Sequence, residues 1–240
     1  MMYFSLNNNS KNCLFSDAVR RGLAPDRGLY FPQKIPKLKH SFYEDIERKS
    51  IPEMALQVIK PFIGNQIDDN VLLDIILDTL DFKFPIVELT EKIASLELFH
   101  GPTLAFKDVG ARFMARTLGY FNKIENENIT VLVATSGDTG GAVANGFLGV
   151  KGIEVIILYP KNKVSEIQEK QITTLGKNIT AIEVDGVFDD CQEMVKTAFL
   201  DSYLNSINLT SANSINIARW LPQMFYYFIA YRSLKNKQKF

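Results

Sequence analysis

Apolar and polar positions follow one another along this chain with two different periods, and the change of period divides it. In residues 69–80, DNVLLDIILDTL, the apolar side chains recur at helical spacing and two acids fall on the other face, as in an amphipathic helix. Residues 51–63, IPEMALQVIKPFI, follow Ser50, a good cap with a proline just inside the helical start. Ser16 is expected to cap a shorter helix, DAVRR, which Gly22 stops. Between these segments LAPDRGLYFPQKIP is turn-rich, with Pro25, Gly28, Pro32 and Pro36 forbidding a long element. The first third therefore reads as mainly helical, ending at Phe84 and Pro85.

From residue 86 the period shortens. IVEL and SLELF read as short strands on either side of a turn at Glu91-Lys92, and FKDVGARFMARTL (106–118) reads as a helix. Then come a strand, ITVLVAT (129–135), a Gly-rich turn, SGDTGG (136–141), and a helix, AVANGFLG (142–149). IEVIILY (153–159) is a buried-strand candidate, SEIQEKQITTL (165–175) a helix ended by Gly176, ITAIEV (179–184) a strand and DDCQEMVKTAFL (189–200) a helix. This alternation predicts βαβ units and a parallel sheet, open and doubly wound. Residues 214–237 read as one long aromatic helix with Pro222 near its first turns. The expected fold is α/β. A helical N-terminal domain spans residues 1–85, and an open, mostly parallel sheet with flanking helices spans residues 86–240.

Composition adds exclusions. The 240 residues are 46% hydrophobic and 22% charged, which is ordinary for a globular chain. Lys plus Arg equals Asp plus Glu, 27 each, so no global field attracts nucleic acid or an anionic membrane; the one basic cluster is the tail KNKQKF. Cys13 and Cys191 lie far apart, and His40 and His100 cannot by themselves build a metal site, so no metal is expected. The start, MMYFSLNNNSKN, lacks the pattern of a signal peptide, and no apolar run approaches the ~20 residues that span a bilayer. The chain is expected to be soluble and cytoplasmic, with no nucleic-acid or membrane partner.

Two stretches carry candidate chemistry. Lys107 ends the run FHGPTLAFKD at a helix start. A lysine in an apolar setting loses hydration and becomes a nucleophile toward an aldehyde. Equally, its stem could cover apolar surface while the ammonium reaches water. Residues 134–141, ATSGDTGG, lie between a strand and a helix, where exposed N–H groups and the helix dipole suit an anion. Ser136 and Thr139 add hydroxyl donors, while Asp138 opposes a multiply charged phosphate at that spot and could instead cap the helix or bind a neutral or cationic group. The spacing is not that of a dinucleotide fingerprint, a P-loop or a nucleophile elbow. A plain structural helix start is also compatible with it. Because such turns gather at the carboxyl ends of the strands, a lysine-bound aldehyde cofactor fits between the two stretches.

HGPTLAFKD followed by ATSGDTGGA resembles the threonine synthases, pyridoxal-phosphate enzymes of fold type II. GLAPDRGLYFP (22–32) is similar to that family's N-terminal segment, which usually has Gly where Arg27 stands here, and NSINIARWLPQMFYYF (213–228) resembles a later segment. The resemblance implies that Lys107 joins the aldehyde of pyridoxal 5'-phosphate, is displaced by the amine of O-phospho-L-homoserine, and then moves protons at the α and β carbons. Phosphate leaves the γ carbon and water adds at the β carbon, giving L-threonine. It further implies that Ser136, Gly137, Asp138, Thr139 and Gly140 face the cofactor's hydroxyl side and the substrate. Ser136 and Thr139 would stand at the substrate, with Asn213 and Arg219 in support. Arg219 could clamp a phosphate or carboxylate, or cap its own helix against neighbouring carbonyls.

The family's cofactor-phosphate loop, of a Gly-Asn-Phe-Gly type, has no counterpart here, and neither has its later partner for the pyridine nitrogen. The chain stops about where that loop's strand should begin, so it resembles the N-terminal part of a synthase with the cofactor sheet unfinished. An unpaired sheet edge, an exposed aromatic face around Trp220, Phe225, Tyr226, Tyr227 and Phe228, weak cofactor binding and little or no activity are the expectations. Competing readings are another fold type II enzyme (a threonine or serine dehydratase, or a threonine-synthase-like phospholyase) and a non-catalytic fragment. GLAPDRGLYFP and SGDTG favour the synthase; the missing loop favours the fragment.

Overall fold

Residues 1–235 are described by the structure, a computed structural model. The N-terminal part is built mainly from helices: α1 (Phe15–Arg21), α2 (His40–Glu44), α3 (Ile51–Ile63) and α4 (Asp69–Thr79). Ser50 caps α3 as expected: its Oγ accepts from the Glu53 N–H at 3.4 Å while Glu53 Oε2 accepts from the Ser50 N–H at 2.8 Å, a reciprocal pair. Ser16 does not cap α1. It lies inside the first turn and sends its N–H to Gln66 Oε1, while Asp17 accepts from the Leu14 N–H at the helix start. The part is also not purely helical. β1 (Tyr3–Ser5) and β2 (Tyr30–Pro32) form a small antiparallel sheet, Tyr3 opposite Pro32. Strands of three residues are too short to show a period.

β3 (Ile86–Glu88) and β4 (Ala94–Leu96) pair antiparallel around the expected turn. α5 (Lys107–Glu125) runs seven residues past its expected end at 118, stopping where Asn126 turns left-handed with φ 53°. Then follow β5 (Ile129–Ala134), α6 (Asp138–Phe147), β6 (Ile153–Pro160), α7 (Glu166–Thr173), β7 (Ile179–Val184), α8 (Phe188–Ala198) and β8 (Leu209–Ser211). The parallel sheet has the order β7-β6-β5-β8, with Ile129 opposite Ile153, Val155 opposite Ile179 and Thr130 opposite Leu209. The chain thus steps outward from β5 to β7 and returns to the other side of β5, so β5 borders a topological switch point. β8, three residues in a polar run, was not foreseen.

The expected long aromatic helix is broken. α9 (Ile217–Trp220) gives way to a 3₁₀ turn, Leu221–Gln223, and then to α10 (Met224–Leu234). Pro222 donates no N–H, and the ladder restarts after it. The aromatic face is not exposed as expected. Phe225 and Tyr226 are buried, Trp220 stacks on Phe31 at 5.7 Å, Phe228 meets Phe42 edge-on at 5.8 Å, and only Tyr227 stands out, at 78% exposure. Residues of KNKQKF beyond Lys235, and with them the expected end of that helix, lie outside the described residues.

Alternation along β5 sends Val131 and Val133 to a large core that includes Phe15, Ile59, Phe113, Phe147 and Phe225. Leu132 and Ala134 point to the other face, where Leu158, Cys191 and Val195 make a smaller cluster under α8. Helices therefore cover both faces, as doubly wound sheets require. No helix among the described residues is long and apolar enough to cross a membrane.

Candidate active site

Residues 101–106 are held in one shape before the lysine is reached. Leu104 has φ 59°, and a Cβ at Gly101 would fall 2.4 Å from Asp108 Oδ2. The buried Asp108 carboxylate folds back over this turn and accepts from the Thr103 N–H at 3.0 Å and from the Thr103 hydroxyl. Burial pushes the Asp108 carboxyl above the usual carboxylate range, and the bonds from Thr103 oppose that shift. Two other elements brace the same turn. The Tyr226 hydroxyl of α10 donates to the Phe106 carbonyl, and Gln171 Nε2 of α7 donates to the Thr103 carbonyl at 3.3 Å.

Lys107 opens α5 from this braced turn. Its ammonium lies 3.7 Å from Asp138 Oδ2 and 4.4 Å from the centroid of the Phe106 ring, with 22% of the side chain exposed. The apolar setting expected from PTLAF is thus corrected. One side of the amine is aromatic, but the other is an acid.

Asp138 belongs to the Gly-rich turn, which Thr135 ties together. Thr135 Oγ1 accepts from the Gly137 and Gly140 N–H groups at 3.0 and 2.8 Å and donates to the Gly137 carbonyl. Gly137 has φ 142°, and a Cβ there would fall 2.4 Å from Gln168 Nε2, so only glycine fits. The N–H groups of Ser136, Asp138 and Thr139 have no partner among the described residues and sit at the positive end of α6. Asp138 does not cap that helix. Its Oδ1 accepts from Gln168 Nε2 at 2.8 Å while Oδ2 faces Lys107.

The two remaining candidates lie elsewhere. Asn213 brackets the last residue of β5, donating to the Ala134 carbonyl at 2.9 Å and accepting from its N–H at 3.4 Å. Arg219 is wholly buried and sends Nη1 to the Ala212 carbonyl at 2.9 Å, upstream of its own helix; Nε and Nη2 have no partner among the described residues. The helix-capping alternative for Arg219 is therefore set aside. Burial pulls its pKa down to about 10. The structure thus brings Lys107 and the 136–140 turn together and leaves Asn213 and Arg219 to brace backbone. Asp108, Thr135, Gln168 and Gln171 were not picked out from the sequence. Only Gln168 had a local signal, the Ser-x-x-Gln spacing from Ser165.

A cavity of about 690 Å³ lies at the opposite end of α5 beside Arg116, Asn122 and Gly152 and does not reach Lys107. No group of three metal-ligating side chains occurs among the described residues. The donor set at Lys107 fits the aldehyde end of pyridoxal phosphate: an amine for the carbonyl carbon, an aromatic ring beside it, and three unpartnered N–H groups for an adjacent oxygen.

Comparison with known proteins agrees. The profile of the threonine synthase N terminus matches residues 2–80, and that of the pyridoxal-phosphate dependent enzymes matches residues 88–228. The threonine synthase of Buchnera aphidicola subsp. Acyrthosiphon pisum is 46% identical over 241 residues, covering 100% of this chain and 56% of the relative. That of Escherichia coli K12 is 40% identical over 240 residues, with the same coverage. Among solved structures, threonine synthase from Escherichia coli matches with a TM-score of 0.90 at 40% identity over 98% of this chain and 54% of that one. A PLP-bound threonine synthase from Brucella melitensis matches at 0.91 and 39% identity over 98% and 52%. The chain spans about half the length of the curated relatives it matches.

Proposed function

The chain belongs to the pyridoxal-phosphate-dependent enzymes and matches the N-terminal part of the threonine synthases; from this premise we propose that it takes part in converting O-phospho-L-homoserine and water to L-threonine and phosphate. Lys107 is the residue that carries pyridoxal phosphate. The observation behind this reading is the meeting of the Lys107 amine with Asp138, 3.7 Å away, at the start of α6. In this reading residues 1–85 are a helical support, residues 86–240 carry the cofactor, and the work is done in the cytoplasm.

Bound there, pyridoxal phosphate would supply the electron sink for carbanion character at the substrate's α carbon. The residues of this chain do the rest. Lys107 Nζ, once free, takes and returns protons at the α and β carbons. Asp138 gives the ammonium a counter-charge and sets its direction, and Gln168 holds Asp138 still. The free N–H groups of Ser136, Asp138 and Thr139, with the Ser136 and Thr139 hydroxyls, donate to an anionic oxygen of substrate or cofactor. Gly137 and Gly140 let the backbone approach closely, and Asn213 holds Ala134 at the strand end from which the turn departs. Arg219, wholly buried, holds the Ala212 carbonyl just past β8, and Asp108 fixes the turn that aims Lys107.

Phosphate release from O-phospho-L-homoserine is the test, with the C-terminal half of a relative supplied in trans. Release should fall about 10²- to 10⁴-fold in Lys107→Ala. Equal release by both chains would contradict the reading.

A further inference from the structure

A second cavity, of about 360 Å³, opens where β5 and β8 end, against α8. Ala134 closes β5 and Ser211 closes β8, and both line it. Since the chain leaves β5 on one side for β6 and returns on the other as β8, this is the crevice at a topological switch point where open α/β sheets take ligands. Its walls are Leu23, Val195, Phe199 and Ile215, and its size falls within the range of small-molecule pockets.

Arg27 stands at the rim in a conformation that an arginine does not favour. Its φ is 66°, in the left-handed region that suits glycine. The turn does not need its side chain. The Asp26 carboxylate accepts from the Gly28 and Asn9 N–H groups at 3.0 and 2.8 Å, and the Arg27 N–H goes to the Ala24 carbonyl at 2.7 Å. Among the described residues the Arg27 guanidinium has no hydrogen bond or ion pair. Lys196 lines the same cavity, with Glu193 beside it at 3.6 Å. An unpartnered guanidinium, held on a backbone better suited to glycine, thus overhangs an apolar crevice with a second cation nearby.

We propose that this crevice binds a small organic anion, its carboxylate or phosphate on Arg27 and Lys196 and its short apolar body against Leu23, Val195 and Phe199. Ala134 and Asn213, which line it, mark the strand end from which the 136–140 turn departs, but neither Lys107 nor Asp138 lines it.

Fluorescence titration of the chain with the apolar sulfonate 1-anilinonaphthalene-8-sulfonate tests this, with hexanoate and hexyl phosphate as competitors and hexanol as the uncharged control. Saturable binding displaced by the two anions and not by hexanol is expected. Arg27→Gly should weaken it on the order of tenfold while leaving the melting temperature unchanged or higher, because glycine relaxes the turn. Leu200→Asp, an acid placed on an exposed wall residue, should weaken it as well. Absence of saturable binding, displacement by hexanol as well as by the anions, or affinity unaltered in both variants would overturn the proposal. The titration uses no pyridoxal phosphate, so its outcome does not depend on Lys107 carrying a cofactor.

Discussion

Gln168 uses both ends of one amide. Its Oε1 accepts from the Ser165 N–H and hydroxyl at 3.1 and 3.0 Å, capping α7, and its Nε2 holds Asp138 against Lys107. Gln168→Glu preserves the cap, since Glu serves there as well, but sets a carboxylate against Asp138 and close to an anionic cofactor. Cofactor affinity should drop about tenfold, with little change in melting temperature; unchanged affinity in Gln168→Glu would assign Gln168 to the cap alone. Asp108 makes a pH prediction. Its pKa is raised in the fold, so its contribution to stability is full below the unfolded carboxyl pKa near ~4 and declines as pH rises through the folded value. The melting-temperature advantage of the wild type over Asp108→Asn should therefore shrink between pH 4 and 7; an advantage that grows with pH would refute it. Lys107 and the 136–140 turn were legible in the sequence because each is a local pattern. Asp138–Gln168 and Thr103–Gln171 were not, because their partners lie 30 and 68 residues apart.

Elements long enough to repeat their pattern, α3, α4 and β5 to β7, could be read from the sequence, and the short β3 and β4 were marked by the turn between them, whereas β1, β2 and β8, three residues each, have neither a repeat nor such a turn. Pro222 was read as a tolerated early-helix proline, yet it sits between two helices. Closeness between elements is also hidden from a sequence. Gly110, in the first turns of α5, has the Arg219 carbonyl where its Cβ would go, at 2.4 Å. Gly110→Ala gains about 1 kcal/mol in helix propensity but must push α9 away. We expect a net loss of about 1–3 kcal/mol in chemical denaturation, as for other overpacked contacts; a stabilised variant would show that α9 yields freely.

At the scale of the molecule, packing crosses the division expected at residue 85. Phe15 of α1 meets Phe121 of α5 at 6.2 Å, Phe84 meets Tyr226 of α10 at 6.0 Å, and a single apolar core includes residues from both sides. Residues 1–85 alone should therefore show no cooperative thermal transition, because much of their apolar surface is buried only against the second part. A sharp transition in that fragment would show a self-sufficient core. We propose that this fold aims Lys107 at pyridoxal phosphate. The most direct test is to add pyridoxal phosphate to the purified chain, follow the visible absorbance, reduce with borohydride and map the added mass. The account predicts a band that borohydride bleaches, with the mass on the peptide containing Lys107 and absent from Lys107→Ala. A band of equal size in both chains, or mass spread over surface lysines, would contradict it.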